Sequence, residues 1–197
     1  MSTSKAERTR KTILSSARRL IEANPHQWTM EDVAEDAGVT RMTVYRYFPS
    51  RTDLLIETVR HVDQVEGAER RFAEVPQSAS GVEALETWTR IWIEYIPQIA
   101  PMAKALLSAR NHDEAAARAW DDRMAALRHG PINICRWLQR DGTLAEHLSI
   151  ETGADLLWVI ASVQVWDALT NDRHWSARKV QQHLSETLKR ALTSANG

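Results

Sequence analysis

The chain has 197 residues, 43% of them hydrophobic and 26% charged, with a net charge of −1; this excludes wholesale disorder and leaves gross charge neutral on nucleic acid as a partner. A single cysteine, Cys135, excludes an internal disulfide and a cysteine-built zinc site, and 7 Gly with 6 Pro are few for a loop-rich all-β protein. The polar opening from Met1 to Arg8 lacks the apolar core of a signal peptide, and the most apolar run, Leu156 to Val165, is short and carries Ser162 and Gln164, so the expectation is a cytoplasmic chain with no membrane partner.

Helical spacing dominates from the start. Ile13, Leu14, Ala17, Leu20 and Ile21 form one apolar stripe, preceded by the capping pair Ser4 and Glu7 and stopped by Asn24-Pro25. Thr29 and Asp32 cap a second, short helix whose apolar face is Val33, Ala34 and Ala37, and Gly38 ends it. Thr43 to Phe48 has the β-branched and aromatic composition of a strand. As a strand, however, it puts Arg46 on the apolar face, and no second strand lies nearby. As a third helix capped by Thr40, it places Val44 and Phe48 on one face and the polar side chains on the others. Ser50 to Asp53 is a further cap, and Leu54, Leu55, Ile56, Val59 and Val62 carry a fourth helix on toward Phe72.

Pro76 to Gly81 is turn-rich. The wide stripe Leu85, Trp88, Ile91, Trp92, Tyr95, Ile96 and Ile99 follows, expected to break at Pro97 and Pro101. An Ala-rich helix spans Ala115 to Leu127, and His129-Gly130-Pro131 interrupts before Ile134, Trp137 and Leu138. Ala154 to Leu169 is apolar almost all round, which predicts burial on several sides, with Asp155 and Asp167 in need of partners. Ser176 opens a last helix with its stripe at Val180, Leu184, Leu188, Ala191 and Leu192. The fold class is therefore all-α: an N-terminal helix-turn-helix domain over residues 1–55 and a larger helical bundle over residues 56–197.

The second helix, the tight turn at Gly38-Val39 and the third helix match the geometry of a DNA reader, because the major groove admits a single α-helix. Residues 1–61 hold ten Lys and Arg against eight Asp and Glu, a weak asymmetry. The clusters Arg8, Arg10, Lys11 and Arg41, Arg46, Arg51 say more. Arg41 and Arg46 suit guanine edges, and Met42 suits a thymine methyl. The hydroxyls of Thr43, Tyr45 and Tyr47 suit phosphates, as do the helix starts at Thr29, Thr40 and Arg51.

On these pieces residues 8 to 55 resemble the DNA-binding domain of the tetracycline-repressor (TetR) family of bacterial regulators. The resemblance rests on Ile13 to Leu20, Thr29-Met30-Glu31-Asp32-Val33-Ala34, Ala37-Gly38-Val39-Thr40, Thr43-Val44-Tyr45-Arg46-Tyr47-Phe48 and Arg51-Thr52-Asp53-Leu54-Leu55. It implies phosphate or groove contacts at Thr29, Thr43, Tyr45, Tyr47 and Arg51, and base reading by Arg41, Met42 and Arg46. Family members commonly carry His at the position of Tyr47 and Lys at that of Arg51, and both exchanges keep a donor. It further implies a homodimer on a roughly palindromic double-stranded operator, acting as a repressor, with an unidentified small effector in the C-terminal domain that releases DNA.

Seven of the eight Trp lie beyond this unit. Core packing accounts for each alone; together they suggest an apolar, aromatic pocket drawn from Trp88, Trp92, Met102, Leu106, Met124, Ile134, Trp158 and Gln164. The alternative is a C-terminal domain that only dimerises or binds a protein partner. His112-Asp113-Glu114 and Asp141 read as caps and solvated groups. No catalytic set converges, so no enzyme, metal or cofactor is expected.

Overall fold

The computed structural model describes residues 4–194, with the backbone alone at 68 and 69; Met1 to Thr3 of the polar opening lie outside the described residues. The order is α1 (Lys5–Ala23), α2 (Met30–Asp36), α3 (Arg41–Tyr47), α4 (Arg51–Glu66), α5 (Ala68–Phe72), α6 (Gly81–Ala109), α7 (Glu114–Leu127), α8 (His129–Arg140), α9 (Ile150–Ile160), α10 (Val163–Asp167) and α11 (Ala177–Leu192). Among the described residues the one β-type pairing is an isolated bridge between Leu144 and Thr193. No helix there is long and apolar enough to cross a membrane.

Two compact units result: residues 1–66 with 98–122, and residues 67–97 with 123–197. The domain boundary expected after residue 55 is not where these units divide. It falls inside α4, which is continuous and packs on α1.

In the first unit, α1, α2, α3 and α4 enclose a core of Ile13, Leu14, Ala17, Ile21, Val33, Val44, Phe48, Leu54, Leu55 and Val62, all buried. Local chemistry sets the ends. Ser4 accepts the Glu7 amide. Thr29 and Asp32 form a reciprocal capping box, and Ser50 and Asp53 form another. Gly38 sits at φ 63°, in the left-handed region. There the Gly38 amide bonds to the Glu35 carbonyl and the Val39 amide to that of Ala34, the paired bonds of a Schellman end. A side chain at Gly38 meets no neighbour, so backbone angle alone demands glycine. The fourth helix stops at Glu66 rather than running to Phe72, because Gly67 adopts φ 65° and starts α5 afresh.

Three other expectations are corrected. Pro97 and Pro101 do not end α6, which is one helix of 29 residues. The two prolines stand four apart, so the missing donors share one row, and the buried stripe from Leu85 to Leu106 holds the helix across them. A proline in a helix interior costs about 3 kcal/mol or more, which several buried large side chains at about 1.5–3 kcal/mol each offset. His129-Gly130-Pro131 is not a gap but the first turn of α8, where proline removes a donor that has no intrahelical partner.

The run Ala154 to Leu169 is not one helix. Ser162 caps α10 through the Val165 amide at 3.3 Å, the Trp92 indole donates to the Ala161 carbonyl at the break, and a π-helical turn closes Ala168–Asp172. Nor is it buried on several sides in the single chain. Gly153, Ala154 and Leu157 face inward, while Leu156 and Val159 are 37% and 51% exposed. α9 packs closely on α8: a Cβ at Gly153 would stand 3.0 Å from the Cys135 sulfur, and burial pushes the Cys135 thiol up to about 11. Asp155 finds its partner within the chain, Arg128, at 2.8 Å, and Asp167 accepts from the Asn171 amide.

Candidate nucleic-acid interface

α3 is a seven-residue helix held at both ends and from below. Thr40 accepts the Thr43 amide at 3.2 Å, and the two hydroxyls are 2.9 Å apart. Val44 is 0% and Phe48 1% exposed, so the inner face is locked by packing. Phe48 is covered by the Arg10 guanidinium, 5.5 Å from its ring centre, and Arg10 pairs with Glu57 of α4. Arg10 is thus a strut between α1, α3 and α4, whereas Arg8 remains at the exposed surface.

The outer face carries what the sequence placed there. Met42 is 77% exposed. Arg41 and Arg46 are exposed, and Thr43, Tyr45 and Tyr47 are half-buried. Arg46 lies over the Tyr47 ring at 5.5 Å. Arg41 lies over Tyr45 at 5.3 Å and pairs with Glu31 of α2 at 2.6 Å. The bond toward the Tyr45 hydroxyl and the charge of Glu31 raise the Arg41 pKa, so the guanidinium stays charged. Thr29 is exposed at the start of α2. Its oxygen accepts the Asp32 amide at 3.1 Å, which leaves the hydroxyl proton available.

Arg51 is more built-in than its sequence position suggests. Its Nε donates to the Trp28 carbonyl at 3.1 Å and its guanidinium stacks 4.1 Å over the Trp28 ring. Burial there lowers its pKa. The stack fastens the first turn of α4 to the segment that leads into α2, with Trp28 itself 3% exposed. The next residue, Thr52, donates to Asp113 at 2.7 Å, and Asp113 also accepts the Ala116 amide at the start of α7. These two bonds hold the Asp113 carboxyl below its usual range. On α4, His61 is half-buried. Burial first, and then the charges of Arg18, Arg10 and Lys11, lower its pKa. Asp113 is the helix cap expected of it, but its bond to Thr52, the pairing of Glu31 with Arg41 and the stack on Trp28 were not foreseen, because nothing in their spacing marks an interaction made across the chain.

The second unit holds a cavity of about 400 Å³ lined by Phe72, Val75, Trp88, Asn133, Ile134 and Trp137, among others. Trp88 stacks on Trp92 with ring centres 5.7 Å apart, and Phe72 leans on both at 6.1 and 6.2 Å. Of the pocket residues named from sequence, Trp88 and Ile134 line this cavity. Trp92 stands behind Trp88. Met102 and Leu106 are buried and belong to the first unit. Met124 and Trp158 are half-buried and Gln164 exposed, none of them at this wall. Phe72 and Trp137, placed on helices from sequence, and Asn133 were not assigned to the pocket, because periodicity along one helix does not show which faces of separate helices meet.

Residues 13–58 match the family described as bacterial regulatory proteins, tetR family. The chain is 45% identical over 62 residues to the HTH-type transcriptional repressor LfrR of Mycolicibacterium smegmatis, covering 32% of each. It is 29% identical over 110 residues to the HTH-type transcriptional regulator EthR of Mycobacterium tuberculosis, covering 55% of this chain and 51% of that one. The matches thus span from a third to about half the length of these curated relatives. A crystal structure of a putative transcriptional regulator from Saccharomonospora viridis shares the fold at a TM-score of 0.80, with 21% identity over 94% of this chain and 97% of the other. Residues 13–58 thus match the tetR family of bacterial regulatory proteins, and the chain shares its helical fold with that solved structure.

Proposed function

We propose that the protein is a DNA-binding transcriptional regulator, a repressor that grips a roughly palindromic operator as a homodimer and releases it when a small, largely apolar or aromatic effector binds the second unit. The observation that carries the DNA-binding part is α3: capped by Thr40, anchored by Val44 and Phe48, and presenting Arg41, Met42 and Arg46 outward. In this reading those three side chains meet base edges. Thr29, Thr40, Thr43, Tyr45, Tyr47 and Arg51 then position the helix on phosphates. The relative named a repressor supports the sign of regulation.

Dimerisation is supported by the apolar face that Leu156 and Val159 leave outward on α9, since a second copy of the same face covers it in an isologous contact. Two recognition helices then lie about one DNA turn apart, which is the reason for a palindromic site. The effector part is supported by the aromatic cavity and by the S. viridis regulator, which was crystallised with choline. Effector and operator affinities are coupled reciprocally. The test is selection of bound duplexes from random DNA, followed by anisotropy titration of the selected site with and without ligands found by thermal shift. An operator emerging as an inverted repeat whose affinity falls with ligand supports the reading. Affinity unmoved by every ligand the protein binds would favour a C-terminal domain that only dimerises.

A further inference from the structure

We infer that Glu31 is a specificity-determining residue: it holds Arg41 against α2 so that backbone phosphate gains little from this arginine and a base edge gains more. The inference rests on the DNA-binding reading above and goes beyond it, because it assigns a role to an acidic side chain on a face otherwise described by its cations.

The observation is the three-residue cluster Glu31, Arg41 and Tyr45. The Glu31 carboxylate is 2.6 Å from Arg41 Nη1, while Arg41 Nη2 is 3.5 Å from the Tyr45 hydroxyl and its carbon 5.3 Å from the Tyr45 ring centre. Glu31 and Arg41 both remain half or more exposed, with side-chain accessibilities of 50% and 60%. The pair therefore sits on the surface that α3 offers to DNA, and the arginine is already occupied before DNA arrives. Neither Arg46, stacked on Tyr47, nor Arg51, bonded to the Trp28 carbonyl, faces a carboxylate in the described ion pairs.

The consequence follows from what each competitor offers. Non-specific binding is almost wholly the exchange of cation–counterion contacts for cation–phosphate contacts. For Arg41, a phosphate replaces one anion by another and leaves Glu31 unpaired beside a row of like charges. That exchange is close to neutral, so Arg41 adds little to binding of arbitrary DNA. A guanine edge is uncharged and presents two acceptors, which the other donors of the guanidinium can meet while Nη1 stays on Glu31, so base reading costs no ion pair. Tyr45, on which Arg41 rests, keeps the side chain extended along α3. Glu31 thus weakens all binding, but weakens non-specific binding more.

The test uses Glu31→Gln in the full chain. Affinities are measured across a salt series for a duplex selected by the native protein from random DNA and for a scrambled duplex of equal length. Glu31→Gln is expected to tighten the scrambled duplex about tenfold and the selected duplex by less than threefold. The salt slope for the scrambled duplex should steepen by about one, the signature of one added phosphate contact. In an Arg41→Ala background the same change should leave the ratio of the two affinities unmoved. Equal tightening of both duplexes, or the same ratio change without Arg41, overturns the inference and makes Glu31 a general repulsive charge. Weaker binding of the selected duplex also overturns it and makes Glu31 a structural brace. Failure of the native protein to bind any DNA sinks the DNA-binding reading itself, and is told apart by the native control.

Discussion

Two stretches of this protein carry a similar wealth of apolar and β-branched residues, and they behave differently. Thr40 to Phe48 folds as its local signals ask: cap, short helix, stop, with Val44 and Phe48 inward. Ala154 to Leu169 reads from sequence as one helix apolar almost all round and instead breaks at Ala161. In the first, each end has its own cap, supplied within three residues. In the second, Ser162 caps α10 locally, but the Ala161 carbonyl at the break is met by Trp92, 69 residues away. The lesson is that a helix boundary is legible when its unsatisfied backbone groups are met locally, and illegible when a distant side chain meets them.

The comparison breaks most readily at Phe48. Phe48→Ala removes a side chain that is 1% exposed and should cost the first unit about 3–5 kcal/mol, read by urea denaturation; a loss below about 1 kcal/mol would mean that α3 is held by its caps and not by its anchor. Arg46→Ala tests the opposite face. It should weaken binding of a selected duplex by about 1–3 kcal/mol and relax preference at one base pair, without lowering stability. A uniform loss over all sequences would make Arg46 a phosphate contact instead.

Smaller effects sharpen the second stretch. Ser162→Ala deletes the cap of α10 and should cost about 0.5–2 kcal/mol by denaturant unfolding; no loss would make the Trp92 bond the whole cause of the break. Val159→Ser, at a side chain 51% exposed, should change monomer stability by less than about 0.5 kcal/mol. It should nevertheless shift sedimentation velocity toward the monomer, and a dimer as tight as the native one would remove α9 from the interface.

The last measurement concerns pH. The His61 pKa is lowered in the folded chain, so the unfolded chain takes up this proton first. Stability is whole above the unfolded value of about 6.5 and declines as pH falls below it, until the folded His61 also protonates. Titration of its ring proton by NMR should place it below the usual histidine range, and His61→Gln should flatten the stability difference between pH 7 and pH 5.5.

Most of the N-terminal architecture was legible: the caps at Ser4, Thr29, Thr40 and Ser50, the left-handed Gly38, and the outward triad Arg41, Met42 and Arg46 are all consequences of spacing within one or two turns. What the residues around them do was not. Arg10 and Arg51 counted as surface cations, yet one braces Phe48 and Glu57 and the other stacks on Trp28. A guanidinium has the same sequence signature on phosphate, carboxylate or indole, and only its neighbours in space choose. The cavity shows the same limit. Trp88 and Ile134 came from a hydrophobic stripe, but Phe72 and Trp137 joined them through the turn at Gly67 and a proline that opens α8.

By itself, then, the sequence determined an all-helical chain, the helix-turn-helix near its start and the inward and outward faces of α3, because periodicity and capping act over three or four residues. Only the tertiary structure decided that α6 runs on through two prolines, that the apolar run near residue 160 divides, which arginines are engaged, and where the aromatic residues enclose space. Those outcomes depend on burial and on bonds between residues tens of positions apart, whose free energy exceeds any local propensity and leaves no mark in local spacing.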